Sequence, residues 1–169
     1  MASMDDPFSK KKPFDLGNYQ VNRMVLSPKH WKNFSSPTKL AWKGTKFKPS
    51  NAKKIPNDVK GGVYSFVVQP DIADHPSCSY LMYVGMTKKQ TLRARFNQYF
   101  RHQTDTSRRI NISKMLLLWD KHLWFYFASI ADPTKIEATE QALLNAYLPP
   151  VNDQYKGVVA KQLRYLFAI

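Results

Sequence analysis

Cysteine is almost missing from this chain. Cys78 stands alone, which excludes an internal disulfide and a CxxC metal knuckle. Glycine is also sparse, 6 residues against 11 prolines, so the connections read as stiff rather than flexible. No apolar run approaches the about 20 residues that a membrane-spanning helix requires. Residues 5–14 are charged and carry no apolar stretch of the secretory kind. A soluble, cytoplasmic protein with no membrane partner is the expectation. Acidic residues are few, 12 against 26 Lys and Arg, and only two of them are glutamates, Glu137 and Glu140.

The chain has what a buried core needs: 169 residues, 43% hydrophobic and 14% aromatic, enough for one domain. Its formal net charge of +14 favours a polyanionic partner. DNA and RNA both qualify; an anionic membrane is disfavoured because no strongly basic amphipathic helix is visible. The charge is uneven. Residues 1–60 hold 13 of the 26 cations but only 4 of the 12 acids, and read as a basic N-terminal arm. Its first 20 or so residues, polar and without periodicity, are expected to be mobile. Further on, Trp31, Phe34, Leu40, Trp42 and Phe47 lie among lysines and are interrupted by Pro28, Pro37 and Pro49. Aromatics spaced in this way can pack on the core or on a partner, and the sequence leaves both open.

Patterning sharpens at residue 61. Gly62–Val68 is β-branched and aromatic and ends at Pro70, which reads as a strand. After a polar loop, Tyr80–Gly85 reads as a second strand, antiparallel to the first. Gln90–His102 switches to helical period through Leu92, Phe96 and Phe100, and Arg108–His122 is a second helix. Leu123–Ile130 is a third strand whose near-continuous apolar run predicts burial on both faces. Pro133 opens a helix to about Tyr147, stopped by Pro149-Pro150, and Val158–Phe167 is a short terminal helix. The expected class is α+β: a small three-stranded antiparallel sheet flanked by helices. Residues 61–155 would form the core and 156–169 a helical extension.

Two helices carry polar residues on or beside their apolar faces. With Ile136 at zero and about 100° per residue, Leu143, Tyr147 and Leu144 fall at about −20°, 20° and 80°, and Glu140 at about 40° sits among them. Glu137, at about 100°, lies at the edge. A carboxylate on a buried face is costly unless it is paired or metal-bound. A structural salt bridge and a functional carboxylate both satisfy that rule. On the Gln90–His102 helix, Arg95 and Tyr99 form an i,i+4 pair bordering the apolar face, and Arg93 is not excluded by geometry.

Taken in order, these residues resemble the GIY-YIG nuclease superfamily. Gly62-Val63-Tyr64 is similar to its first signature element and Tyr83-Val84-Gly85 to its second. Residues 92–100 resemble the family helix, in which an arginine precedes a tyrosine or histidine by four positions. That selects Arg95 with Tyr99. Glu140 matches the metal-binding glutamate, and Asn152 the asparagine twelve residues beyond it. The two signature tyrosines lie 19 residues apart, wider than in compact members, so residues 69–79 read as an insertion.

The resemblance implies a divalent-metal-dependent endonuclease that hydrolyses DNA phosphodiesters, of bacterial or phage origin and with a restriction or DNA-processing role. Glu140 would hold one Mg²⁺ or Mn²⁺, Tyr64 would act as general base or orient the water, and Arg95 would grip the scissile phosphate. Tyr83 and Tyr99 would hydrogen-bond the phosphate or the water, while Asn152 would fix the geometry. Lys88, Lys89, Arg93, Arg101, Arg108 and Arg109 are candidate DNA contacts, and His102 reads as a surface histidine. Double-stranded DNA is the expected partner, with homodimerisation one route to cutting both strands and the nucleoid the expected location. The competing expectation is a non-catalytic nucleic-acid-binding protein on the same scaffold.

Overall fold

The computed structural model describes residues 22–73, 75–103, 109–153, 155, 156 and 159. The expected terminal helix, the first 20 residues and Arg108 fall outside this set. In chain order the elements are α1 (Pro28–Lys32), β1 (Lys43–Lys46), a 3-10 turn (Pro49–Lys54), β2 (Lys60–Val68), β3 (Tyr80–Thr91), α2 (Leu92–His102), α3 (Ile110–Leu118), β4 (Leu123–Ser129) and α4 (Pro133–Tyr147).

The architecture is α+β, with one antiparallel sheet in the order β1-β4-β2-β3 and helices against it. The sheet therefore has four strands, not the three expected. The added strand, Lys-Gly-Thr-Lys, has no apolar alternation and is invisible to periodicity. Pairing with the edge of β4, with Thr45 opposite Phe125, makes it a strand.

Alternation along the two central strands separates the two faces of the sheet. Tyr64, Phe66 and Val68 of β2 join Leu123, Phe125 and Phe127 of β4 in a cluster with Leu92, Phe96 and Tyr99 of α2 and Ile112, Met115 and Leu116 of α3. Val63, Val84 and Ala128 pack on the other side with Ile136, Leu143 and Leu144 of α4. β2 is buried from Gly61 to Val68, as befits the strand between two neighbours. β4 is less covered than its composition suggests, since Trp124 and Tyr126 remain partly exposed.

Part of the arm belongs to this core. Phe47 and Ile55 are buried, and Phe47 stacks on Phe100 with ring centroids 4.3 Å apart. Trp31, Phe34 and Trp42 stay partly exposed. Arg93 serves this junction: its Nε donates to Ile55 O at 2.8 Å and its guanidinium to Lys53 O at 3.3 Å. Arg93, an expected DNA contact, thus tethers the 3-10 turn to α2.

Local chemistry fixes the helix starts. Thr91 caps α2 by accepting from Ala94 N at 3.1 Å, and Asp132 caps α4 by accepting from Thr134 N at 3.0 Å, ahead of Pro133. α4 ends on Leu148 in the left-handed conformation, φ 49°.

The segment after α4 then clasps the outer edge of β3. Val151 N donates to Met82 O at 3.0 Å, and the Asn152 amide both accepts from Val84 N (2.9 Å) and donates to Val84 O (2.8 Å). Asn152→Ala leaves two backbone groups of β3 without this partner. Its expected cost is about 1–3 kcal/mol, read as a lower urea midpoint with unchanged m-value; an unchanged midpoint would remove the clasp role.

Candidate active site

β2 and β3 lie side by side with Tyr64 opposite Gly85 and Phe66 opposite Tyr83. Val67 then pairs with Leu81, so Met82 is an extra residue that bulges the edge strand just before Tyr83. A second irregularity, between the Lys60–Thr91 and Gly62–Thr87 pairs, lets Lys88, Lys89 and Gln90 leave the ladder. Gly85 is needed because Tyr64 fills its side-chain space: a Cβ there would meet Tyr64 Cζ and Oη at 2.7 Å.

Tyr64 is the centre of a hydrogen-bonded group. Its hydroxyl lies 2.9 Å from the Tyr99 hydroxyl and accepts from Arg95 Nε at 2.8 Å. Arg95 donates again to Gln98 Oε1 at 3.0 Å, and Gln98 exchanges two amide bonds with Gln90. The guanidinium also lies 5.1 Å from the Tyr99 ring centre. Burial opposes the Arg95 charge, but Tyr64 and Tyr99 outweigh it and the pKa stands above the ordinary arginine value. Burial, then the charge of Tyr64, pushes Tyr83 up to about 12, and burial above all raises Tyr99 well above the usual phenol value. Both are therefore neutral hydrogen-bond donors at physiological pH.

Tyr64 and Tyr99 are completely covered, each with 0% exposure. Neither hydroxyl faces open solvent, which does not fit the expected direct contact of either with an attacking water or phosphate.

The open feature is a hollow of about 430 Å³ beside α4, lined among others by Tyr83, Arg109, Glu137, Glu140, Asn152 and Lys156. The two glutamates differ sharply here. Glu137 is exposed and ion-paired with Lys88 at 2.8 Å and Lys156 at 3.2 Å; these hydrogen bonds hold its pKa below the ordinary range. Glu140 is half-buried and forms no side-chain hydrogen bond or salt bridge among the described residues, in a chain with 26 Lys and Arg. Burial, reinforced by the charge of Glu137, raises its pKa, although Lys156, Lys88 and Arg95 pull the other way. Glu140 is less deep than the helical wheel suggests. Thr139 and Ala146 are buried and Tyr147 is exposed, so the buried face is centred near Leu143, about 60° from Glu140.

Arg95 lies outside this hollow. With Lys88 and Lys89 it lines a shallower basin of about 450 Å³, and Met86 borders both. Arg109 is exposed on the rim of the hollow, Arg101 is exposed on α2, and the half-buried His102 ring meets Tyr99 edge-on at 5.8 Å. Lys156 and Gln98 escaped the sequence reading. Lys156 sits in a tail without periodicity and offers no signal. Gln98 offers one, its i,i+3 spacing from Arg95.

Among the described residues no group of three or more His, Cys, Asp or Glu is placed to hold a metal. Magnesium needs no such group, since it binds through one or two carboxylates with water and substrate phosphate completing the shell. Glu140 and Asp153 both line the hollow and could contribute carboxylates to such a shell. Among the described residues no helix is long and apolar enough to cross a membrane. Comparisons with family models, curated proteins and solved structures give no match to this chain.

Proposed function

We propose that this protein is a divalent-metal-dependent endonuclease of the GIY-YIG kind, hydrolysing DNA phosphodiester bonds at the hollow beside α4. One observation carries the reading: among the described residues Glu140 is a half-buried carboxylate without an ion-pair partner, while its neighbour Glu137 takes two lysines. A salt bridge would explain a buried glutamate without invoking function, and here the salt bridges belong to Glu137.

Glu140 is the residue that would hold Mg²⁺ or Mn²⁺. When bound, the ion neutralises charge on the phosphate and the leaving oxygen. Arg109 and Lys156 supply positive potential on the rim, drawing a phosphate inward. Tyr83, neutral because its pKa is about 12, donates a hydrogen bond to a phosphate oxygen or a water. Arg95 offers its guanidinium from the adjoining basin, and Tyr64 and Tyr99 fix its orientation from beneath. Tyr64 is thus better suited as a positioning residue than as the general base.

The test of function is incubation with supercoiled plasmid in Mg²⁺, Mn²⁺ or EDTA. Nicking or linearisation with metal, and none with EDTA, is expected; salt-sensitive binding without cleavage under any metal would favour a non-catalytic DNA-binding protein. Tyr64→Phe separates the two roles. Losing one hydrogen bond to a charged group should slow cleavage about 10–100-fold while leaving the pH–rate profile in place. Disappearance of the ascending limb that a general base produces would return that role to Tyr64.

A further inference from the structure

The face of the sheet shared with α4 is only partly covered. Beyond the helix lies an open groove of about 320 Å³, whose walls include Trp42, Val67, Gln69, Leu81, Tyr126 and Tyr147. Trp42 and Tyr147 are large aromatics with 38% and 48% of their surface exposed. Tyr126 is preset. Its ring lies over Gly44, where a Cβ would come within 3.0 Å of three ring atoms, and it stacks on Trp124 at 6.2 Å with an interplanar angle of 27°. Gln69 Nε2 donates to the Tyr126 hydroxyl at 3.0 Å and to Ser79 Oγ at 3.0 Å, so the groove floor is held without any ligand.

From these observations we infer that the groove is a stacking platform for the unpaired bases of single-stranded DNA, adding a second binding surface to the site beside α4. This rests on the nuclease reading for the choice of DNA, while the choice of unpaired bases comes from the groove. Three features select this occupant. Among the described residues the groove lining has no charged side chain, so its floor suits an uncharged planar face. The segment that delivers Trp42 is strongly basic: residues 22–60 carry ten Lys and Arg and a single acid, Asp58. On the same sheet face Lys46 lies opposite Trp124, placing a cation beside the aromatics. Lysines around exposed rings are the pattern by which a phosphate backbone is tracked while its bases stack. A duplex keeps its base faces covered and offers the rings nothing to stack on, whereas an unpaired strand offers both faces.

The experiment compares three fluorescein-labelled probes of about 12 units: oligodeoxythymidine, the matching duplex, and an abasic deoxyribose-phosphate strand of equal charge. Trp42→Ala and Tyr147→Ala change exposed side chains, and far-UV circular dichroism checks their folds. Each is expected to weaken oligodeoxythymidine binding about tenfold and to leave abasic binding unchanged. Equal affinity of wild type for the base-bearing and abasic strands, or unaltered oligodeoxythymidine binding by both folded variants, overturns the platform. The two proposals fail separately. Trp42-dependent binding without plasmid cleavage keeps the groove and removes the nuclease; metal-dependent cleavage with indifferent groove variants does the reverse.

Discussion

Glu140→Gln should melt at a higher temperature than the wild-type protein at pH 7 and cut DNA about a thousandfold more slowly, as expected for losing several kcal/mol of transition-state charge stabilisation. The two effects share one cause. Burial and Glu137 raise the Glu140 pKa in the folded state, so folding favours the protonated carboxyl. The stability it confers is complete below the unfolded carboxylate range, near pH ~4, and is lost as pH rises through the raised folded value. At neutral pH the ionised group opposes folding, and a neutral amide of the same shape removes that opposition. The advantage of the variant should therefore shrink as pH falls toward ~3 and the wild-type carboxyl becomes protonated. Added Mg²⁺ or Mn²⁺ should raise the melting temperature of the wild-type protein and leave Glu140→Gln unmoved, because only the carboxylate gives the folded state a differential affinity. Differential scanning fluorimetry across pH and metal reads this without reference to activity. Equal metal shifts in both proteins would place the ion elsewhere.

The second large effect is expected from a single methyl group. Gly85→Ala puts a Cβ where Tyr64 Cζ and Oη would lie 2.7 Å away and Tyr83 Cε1 2.8 Å away. Both rings are hemmed in: Tyr64 by Phe125 at 5.3 Å and Tyr99 at 5.8 Å, Tyr83 by Phe66 at 6.4 Å. Overpacking of this kind costs about 1–3 kcal/mol, visible as a lower urea midpoint. Because the displaced hydroxyl is the acceptor that orients Arg95, cleavage should fall further than stability alone explains, in protein that is still folded. Gly44→Ala is the matched control. It crowds Tyr126 on the opposite face of the sheet from Tyr64 and should leave cleavage of duplex plasmid, which offers that groove no unpaired bases, intact. Equal losses of activity in the two variants would show that general destabilisation, not Tyr64 placement, is responsible.

Much of this arrangement is legible in the residues. β2, α2, β4 and α4 follow from period and punctuation, since Thr91, Asp132, Pro133 and Pro149 sit where caps and stops belong. The contact of Tyr64 with Tyr99 and Arg95 is anticipated by helical spacing combined with the family resemblance. β1 is not legible, because Lys43–Lys46 acquires strand conformation from the edge of β4 rather than from its own side chains. The bulge at Met82 is hidden for a related reason: the Met82 carbonyl meets its partner, Val151 N, only through a contact remote in sequence. Exposure is the deeper gap. Spacing brings Tyr64 and Tyr99 to the site, yet only the packed rings of Phe66, Phe96 and Phe125 reveal that both hydroxyls are covered. Nor does spacing separate the two glutamates fully, since the partners of Glu137, Lys88 and Lys156, are remote from it in sequence.

The most direct measurement is the time course of supercoiled plasmid with wild-type protein and Glu140→Ala side by side, in Mg²⁺, with DNA binding measured on the same samples. If Glu140 holds the metal, wild type gives nicked or linear product, the variant gives none, and both bind comparably. Cleavage by Glu140→Ala at the wild-type rate would contradict that role.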